Sequence, residues 1–445
     1  MIKNEENNKL AIRMLIAMIS GILVGLLFLA LRETSGTDSV LWTTVNNILF
    51  QDITVAGAES AIGLFYLGGQ LFIRALQLII VPMVFCSVVM AISEISEAST
   101  LGRISAKTIA WFMLTSCIAL VFAGIIALIL FNAGLFSVKI EGIDASVGST
   151  ASNPLSVILN IIPSNIGSTF SVNNAVLGVV FIAVVVGLSM NKLGLSKESY
   201  IYGFCKEVSN IIVVFLNFSV TNFGPVAIFM LLCRTFATYG IDYLKPALNY
   251  FLICTTLLLT YLFIGYPLFM AIACKLNPYI FIRKIFKVIV FGFSTSSSAA
   301  TLPLNLDTNT KELGVDHQVA SFVLPLGMTI NMDGTAIMQV VATLFIAGCG
   351  GYDISAFQLL IIMVLALIAS MGTPAAPGAG AVILFTILSG VGFTNESALI
   401  AYSLILAINR PIEMLVTALN CVGDSVASIA VAKSEGKLDT EIFND

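Results

Sequence analysis

Long apolar runs, repeated along the whole chain, decide what this sequence can become. The first, LAIRMLIAMISGILVGLLFLAL, extends from Leu10 to Leu31. About 20 helical residues suffice to cross the hydrocarbon core of a bilayer. This run exceeds the h-region of a signal peptide, and no A-x-A-like site follows it, so it is expected as a retained spanning helix. Further helices are expected near 62–93, 108–135, 174–194, 204–235, 246–274, 317–348 and 398–432. Only 10% of the 445 residues are charged, where a soluble domain has about 25%. The expectation is an all-α polytopic membrane protein with eight transmembrane helices.

The connections sort by charge. Spacers 32–60 and 137–173 are rich in Ser, Thr, Asn and Gly, whereas Lys3, Lys9, Arg13, Arg103, Lys107, Lys192, Lys197, Lys206, Lys275, Arg283, Lys284, Lys287, Lys433 and Lys437 cluster in the others. The positive-inside rule puts the basic set, and with it both termini, in the cytoplasm of a cell-membrane protein. No basic patch with interleaved aromatics is present, so a nucleic-acid partner is not expected. The eight cysteines show no CxxC and lie mostly in apolar runs, as small buried residues do. A single histidine, His317, leaves Ser297 without a base partner for enzyme chemistry. A channel would be expected to show a pore-lining ring of charge, and none is visible. GILVG at 21–25 reads as helix packing.

Two segments break the spanning pattern. FGFSTSSSAATLPLN (291–305) and ASMGTPAAPGAGAVILF (369–385) are apolar at both flanks with a Ser/Gly/Pro-rich tip. Gly and Pro interrupt helices, and irregular backbone survives at membrane depth only where protein buries it or where it lines a cavity. Each is expected as a re-entrant helical hairpin, the first about 283–306 and the second about 354–395. Each is followed by an apolar helix with a polar break, TINMDGTA after the first and NRPIEMLVTALNCVGDSVAS after the second. Such paired interruptions point to inverted repeats around a transporter binding site.

The polar residues of the last third supply the chemistry. An ionisable group at the bilayer centre costs at least ~2.5–3.5 kcal/mol and is normally retained for function. Asp333, Glu413 and Asp424 are such groups. Glu413, Thr417, Asn420 and Asp424 step by 4, 3 and 4 and so line one helix face. Carboxylates, amide oxygens, hydroxyls and freed carbonyls suit a hard cation such as sodium. Asn420 and Asp424 suit that cation, Thr417 and Asn420 an amino-acid head group, and Glu413 an ammonium.

These segments resemble the dicarboxylate/amino acid:cation symporter family, which includes glutamate and neutral amino acid transporters. The resemblance covers essentially the whole chain and rests on STSSSAATLP (294–303), LPLGMTINMDGTA (324–336), GTPAAPGAGAV (372–382) and NCVGDSVASIAVAKSEG (420–436). It implies a homotrimer in the lipid bilayer. The scaffold part of each protomer would span about 10–93 and 174–274. A transport part, about 108–135 and 280–433, would move like an elevator, with the second hairpin as outer gate. It implies no cofactor, with sodium as coupling ion. The first sodium site would use Gly327, Asn331, Asn420 and Asp424. A second would use backbone oxygens at Thr329, Ser370, Met371 and Thr373. A third would use Thr115 and Ser116 with Asn331 and Asp333, and Phe112 stands where the family often has Tyr.

For the cargo, the resemblance implies that Asn420, Ser297 and Ser298 hold an α-carboxylate. The second tip, Ala375 to Gly380 and so including Ala376, Pro377, Gly378 and Gly380, would close over it. Glu413 stands where members usually have Asp. Val416 and Ser296 occupy places where some members, the acidic-substrate ones in the case of Val416, have Arg. Without that cation a buried cargo carboxylate loses a charge-assisted pair, so a neutral serine-, threonine- or alanine-like amino acid is expected, with Val416 as apolar wall. An acidic amino acid or dicarboxylate, coupled to sodium or protons, stands second. Arg410 could serve it, although an ideal helix turns it about 240° from Val416 unless Pro411 breaks the helix.

Overall fold

The computed structural model describes residues 2–54, 57–96, 102–136, 162–171, 176–195, 199–240, 244–371, 373 and 379–444. Among these the chain is helical, with one isolated bridge between Val315 and Leu438. Seven described helices are long and apolar enough to cross a membrane. The eighth expected span, 174–194, is the 17-residue helix Val176–Lys192. Most of spacer 137–173 lies outside the described residues. Spacer 32–60 is not wholly irregular, because Val40–Val45 is helical and continues as a π-turn over Asn46–Phe50.

One group of helices is built around α1 (Ile2–Ser35), α2 (Val40–Val45), α3 (Leu64–Leu78) and α4 (Ile80–Ser96). The others in it are α7 (Val176–Lys192), α8 (Tyr200–Phe218) and α9 (Gly224–Tyr239), with α6 (Ile166–Ser171) against α7. Helix α1 packs along α9 because GILVG removes side chains from the contact: a Cβ on Gly21 would lie 2.9 Å from the Phe229 carbonyl oxygen, and one on Gly25 2.8 Å from Phe236 Cβ. The expected packing role of these glycines is met.

The second group surrounds α5 (Gly102–Asn132). Hairpin 1 is α12 (Pro278–Thr295) and α13 (Ser298–Lys311). Its tip is sharp because Ser296 adopts a left-handed conformation, φ 49°, while the Ser297 side chain caps α13 by accepting from Ala300 N at 3.3 Å. Helix α14 (His317–Ile330) stops at Asn331, and α15 (Asp333–Gly350) begins two residues later. Hairpin 2 is α16 (Ala356–Met371) and α17 (Ala379–Val391). The expected helix 398–432 is divided at Asn409 into α18 (Glu396–Ile408) and α19 (Arg410–Ser434), with Pro411 in the first turn of α19. Proline suits that position, where the missing N–H has no intrahelical acceptor.

Helices α10 (Leu244–Thr260) and α11 (Tyr266–Ile272), joined by a π-turn, pack on α15, α19 and α12. The stretch 246–274, expected with the scaffold, therefore packs with the hairpins. Within the spanning windows the His317–Gly350 pair is 94% buried and α19 is 89% buried, against 24% for α1. The two interrupted, polar-bearing helices thus sit at the centre of the protein, away from lipid. The short α20 (Thr440–Asn444) closes the chain, with Phe443 fully buried.

Candidate functional site

The site forms where α14 stops. The last carbonyls of a helix have no following turn to donate to them, and the Thr329 carbonyl is among these. Asn331 N still reaches the Gly327 carbonyl at 2.8 Å, but Asn331 and Met332 leave helical geometry. The Asn331 side chain spans the gap: Nδ2 donates to Asp424 Oδ1 at 3.2 Å, and Oδ1 accepts from Thr115 Oγ1 at 3.2 Å. Asp333 accepts from Ser116 Oγ at 2.5 Å and from Tyr266 OH at 2.9 Å. Tyr261 OH donates to the Thr115 carbonyl at 3.0 Å. Four helices and the π-turn after α10 therefore converge on the NMDG break.

Close approach requires glycine here. A Cβ on Gly327 would lie 2.4 Å from Asp424 Oδ1, and one on Gly423 2.3 Å from Tyr266 OH. Asp333 and Asp424 are buried, and neither forms an ion pair among the described residues. Two buried carboxylates beside the break, Asp424 bonded to Asn331 and Asp333 to Ser116 and Tyr266, form with the neighbouring hydroxyls and helix-end carbonyls an oxygen-rich set. Its chemistry fits a hard monovalent cation. The residues expected for the first and third sodium sites, Gly327, Asn331, Asp424, Thr115, Ser116 and Asp333, are brought together.

The residues expected for the second sodium site lie at two helix ends. Thr329 Oγ1 donates back to the Leu326 carbonyl at 2.9 Å, Ser370 Oγ to Leu367 at 2.9 Å and Thr373 Oγ1 to Ala369 at 3.0 Å. Each hydroxyl gives its hydrogen to a carbonyl of the preceding turn, so what this region offers a cation is oxygen lone pairs, from these hydroxyls and from backbone carbonyls, with Met371 closing α16.

The expected cargo residues divide. Asn420 Oδ1 accepts from Gly334 N at 2.8 Å, and Nδ2 donates to Thr335 Oγ1 at 3.1 Å, so its amide braces the NMDG break. Thr417 donates to the Glu413 carbonyl at 3.0 Å. Val416 is buried beside Gly334, whose Cβ would lie 2.9 Å from the Val416 carbonyl oxygen. Ser297 and Ser298 begin α13 at the hairpin 1 tip. The arms of that hairpin meet α19 at Ala418, 3.3 Å from a Cβ on Gly292, and at the Cys421 carbonyl, which accepts from Asn305 Nδ2 at 2.9 Å. Ala376, Pro377 and Gly378 lie outside the described residues, whereas Gly380 sits in the first turn of α17.

Arg410 opens α19, and Pro411 in the first turn does not break the helix between it and Val416, so the angle expected between those two is kept. Measured from Glu413 rather than Val416, it is i−3 and extends the polar face to Arg410, Glu413, Thr417, Asn420 and Asp424. Its Nη1 lies 3.9 Å from Glu413 Oε2, while its Nε and Nη1 have no hydrogen-bond partner among the described residues. Arg410 is 8% exposed and lines a cavity with Asn409, Glu413 and Ala381 on one side and Phe72, Leu76 and Ile228 on the other.

Sequence reasoning missed Tyr261, Tyr266 and Gln339. Tyrosines in a spanning segment read as interfacial anchors, and their pairing with Thr115 and Asp333 depends on the π-turn between α10 and α11. It also missed Asn305, Asn309 and Ser425, which bond α13 to α19: Ser425 Oγ donates to Asn305 Oδ1 at 2.7 Å and Asn309 Nδ2 donates to Ser425 Oγ at 3.0 Å. The i,i+4 spacing of the two asparagines, which puts both on one face of α13, was the available signal.

Comparison with known proteins gives a consistent result. The profile of the sodium:dicarboxylate symporter family matches residues 10–434. A proton/glutamate-aspartate symporter of Escherichia coli (strain K12) is 28% identical over 440 residues, covering 97% of this chain and 94% of the relative. An excitatory amino acid transporter of Caenorhabditis elegans is 27% identical over 418 residues, 83% of this chain and 82% of the relative. A proton/sodium-glutamate symport protein of Bacillus caldotenax is 28% identical over 383 residues, 84% and 88% of the two chains.

Proposed function

Because the chain belongs to the sodium:dicarboxylate symporter family, we propose that it is a sodium-coupled symporter of an acidic amino acid or C4-dicarboxylate. Relatives named for glutamate and aspartate favour this cargo over the neutral one that the sequence put first. The observation that carries it is Arg410, a buried cation at the N-terminal end of the polar face of α19 whose Nε and Nη1 have no hydrogen-bond partner among the described residues and whose ion pair with Glu413 is long, at 3.9 Å. A guanidinium offers a fork that matches a carboxylate.

In this reading sodium ions, as co-substrates, neutralise Asp333 and Asp424 and occupy the carbonyls freed at the NMDG break. Their arrival orders Gly334, Thr335 and Asn420, which neighbour the cargo. Hairpin 2 closes over the cargo from the outside. The hairpin group then slides against the α1–α9 group as an elevator, in a homotrimer of the cell membrane with cytoplasmic termini. The excess of Lys and Arg on one side supports that orientation. A specific observation also favours a neutral cargo: Val416 presents no charge beside Gly334.

Competition against sodium-driven uptake in proteoliposomes tests the cargo assignment. Aspartate, glutamate or succinate should compete and serine, threonine and alanine should not. Arg410→Gln should weaken the acidic competitor by about a hundredfold or more. Competition by serine or alanine alone, unchanged by Arg410→Gln, refutes the acidic reading.

A further inference from the structure

Hairpin 1 and hairpin 2 are fastened to the central helices in different ways. Short bonds join α13 to α19 through Asn305, Asn309 and Ser425, the closest at 2.7 Å. The second arm of hairpin 2 is held by longer ones that meet on a single peptide group. The Gly380 carbonyl accepts from Gln339 Nε2 on α15 at 3.4 Å. The amide N–H of the next residue, Ala381, donates to Glu413 Oε1 on α19 at 3.3 Å. One residue further, the Val382 carbonyl accepts from Tyr402 OH on α18 at 3.4 Å.

We propose that Gln339 and Glu413 are positioning residues that latch hairpin 2 shut by gripping the Gly380–Ala381 peptide from opposite sides. This rests on the reading of hairpin 2 as the gate over the cargo. The first N–H groups of a helix have no intrahelical acceptor, and a carboxylate near them is favourable. Glu413 supplies that carboxylate to α17. An aspartate would be one methylene shorter. Gln339 supplies the donor, and its Oε1 has no partner among the described residues.

The two gripping side chains come from the helices that carry the cation-site residues, Asp333 on α15 and Asp424 on α19. Gln339 is fully buried and Glu413 is 8% exposed, so while the hairpin is down both bonds are made out of reach of water. Long bonds are weak enough to break in each cycle, yet both fail together if α15 and α19 lose register. Cation binding at the break thereby reaches the gate through two side chains. Glu413 is also committed to the gate and to Arg410 and does not serve an ammonium alone.

Backbone hydrogen exchange of the full chain in lipid nanodiscs, with sodium and without cargo, tests the latch independently of what the cargo is. Gln339→Leu and Glu413→Leu should each speed exchange at 381–391 by about tenfold. The double variant should add little beyond either single one, because both grips share one peptide. Glu413→Gln keeps an acceptor oxygen and should restore most of the protection. Exchange at 298–305 in hairpin 1 should not move. In transport, the KM for sodium should rise with kcat largely retained in the Gln339 variant. Should a leucine variant fail to fold, Gln339→Met removes the donor at similar length without adding a charge and carries the same comparison. Unchanged exchange at 381–391, or equal loosening of hairpin 1, would overturn the latch.

Discussion

Two buried carboxylates without a basic partner set the energetics at the residue scale. Asp333 is shielded by Ser116 and Tyr266 and Asp424 by Asn331, yet neither has an ion-pair partner among the described residues. A bound cation removes that cost, so folding and cation binding are linked. Asp424→Asn is expected to weaken sodium binding by at least about tenfold, and the readout is the rise of Tm with sodium concentration. A sodium-dependent Tm rise identical to the unmodified chain's would count against Asp424 as a ligand. Gly327→Ala places a methyl where Asp424 Oδ1 lies at 2.4 Å and should abolish the same rise. These residues were legible in the sequence because a carboxylate in an apolar run is costly and is kept there for function. Tyr261 and Tyr266 were not, since their role comes from a turn that periodicity does not reveal. Arg410 was seen, but the angle was taken from Val416 when the relevant neighbour is Glu413.

Helices behave here as packed units whose contacts depend on small residues and breaks. Gly21 and Gly25 let α1 approach α9. Gly25→Leu overfills that contact and should cost about 1–3 kcal/mol, seen as a lower Tm in nanodiscs while the sodium-dependent increment is preserved. Loss of the sodium increment along with stability would show that this contact also shapes the site. Both hairpins were readable from Gly, Ser and Pro at their tips, as was the NMDG break. The division of 398–432 at Asn409 falls at the start of the polar break NRPIEMLVTALNCVGDSVAS, but Pro411 left open whether the helix would restart there or bend, since it suits a first turn as well as it ends a preceding helix.

Across the whole molecule, two helix groups meet along apolar surfaces. Polar residues gather inside the hairpin group, and the cavity beside Arg410 lies where the groups touch. Composition and spacing were enough for the class of molecule, because apolar length is set by bilayer thickness. They were not enough to allot 246–274 to a group: amphipathic signals do not say which neighbour a buried face will meet, and α10 and α11 turned out to pack on α15, α19 and α12. Nor could spacing decide the cargo, which depends on how a few side chains from different helices face one cavity. Val416→Arg adds a second guanidinium on α19 and should raise affinity for acidic competitors. An unchanged competitor series in that variant would separate Val416 from selectivity.

Sodium-coupled transport of an acidic cargo is tested most directly by concentrative uptake of labelled aspartate into proteoliposomes of the full chain. Accumulation should be driven by an inward sodium gradient, abolished when the gradient is dissipated and strongly reduced by Arg410→Gln. Accumulation of labelled serine but not aspartate, or aspartate uptake indifferent to sodium, would contradict it.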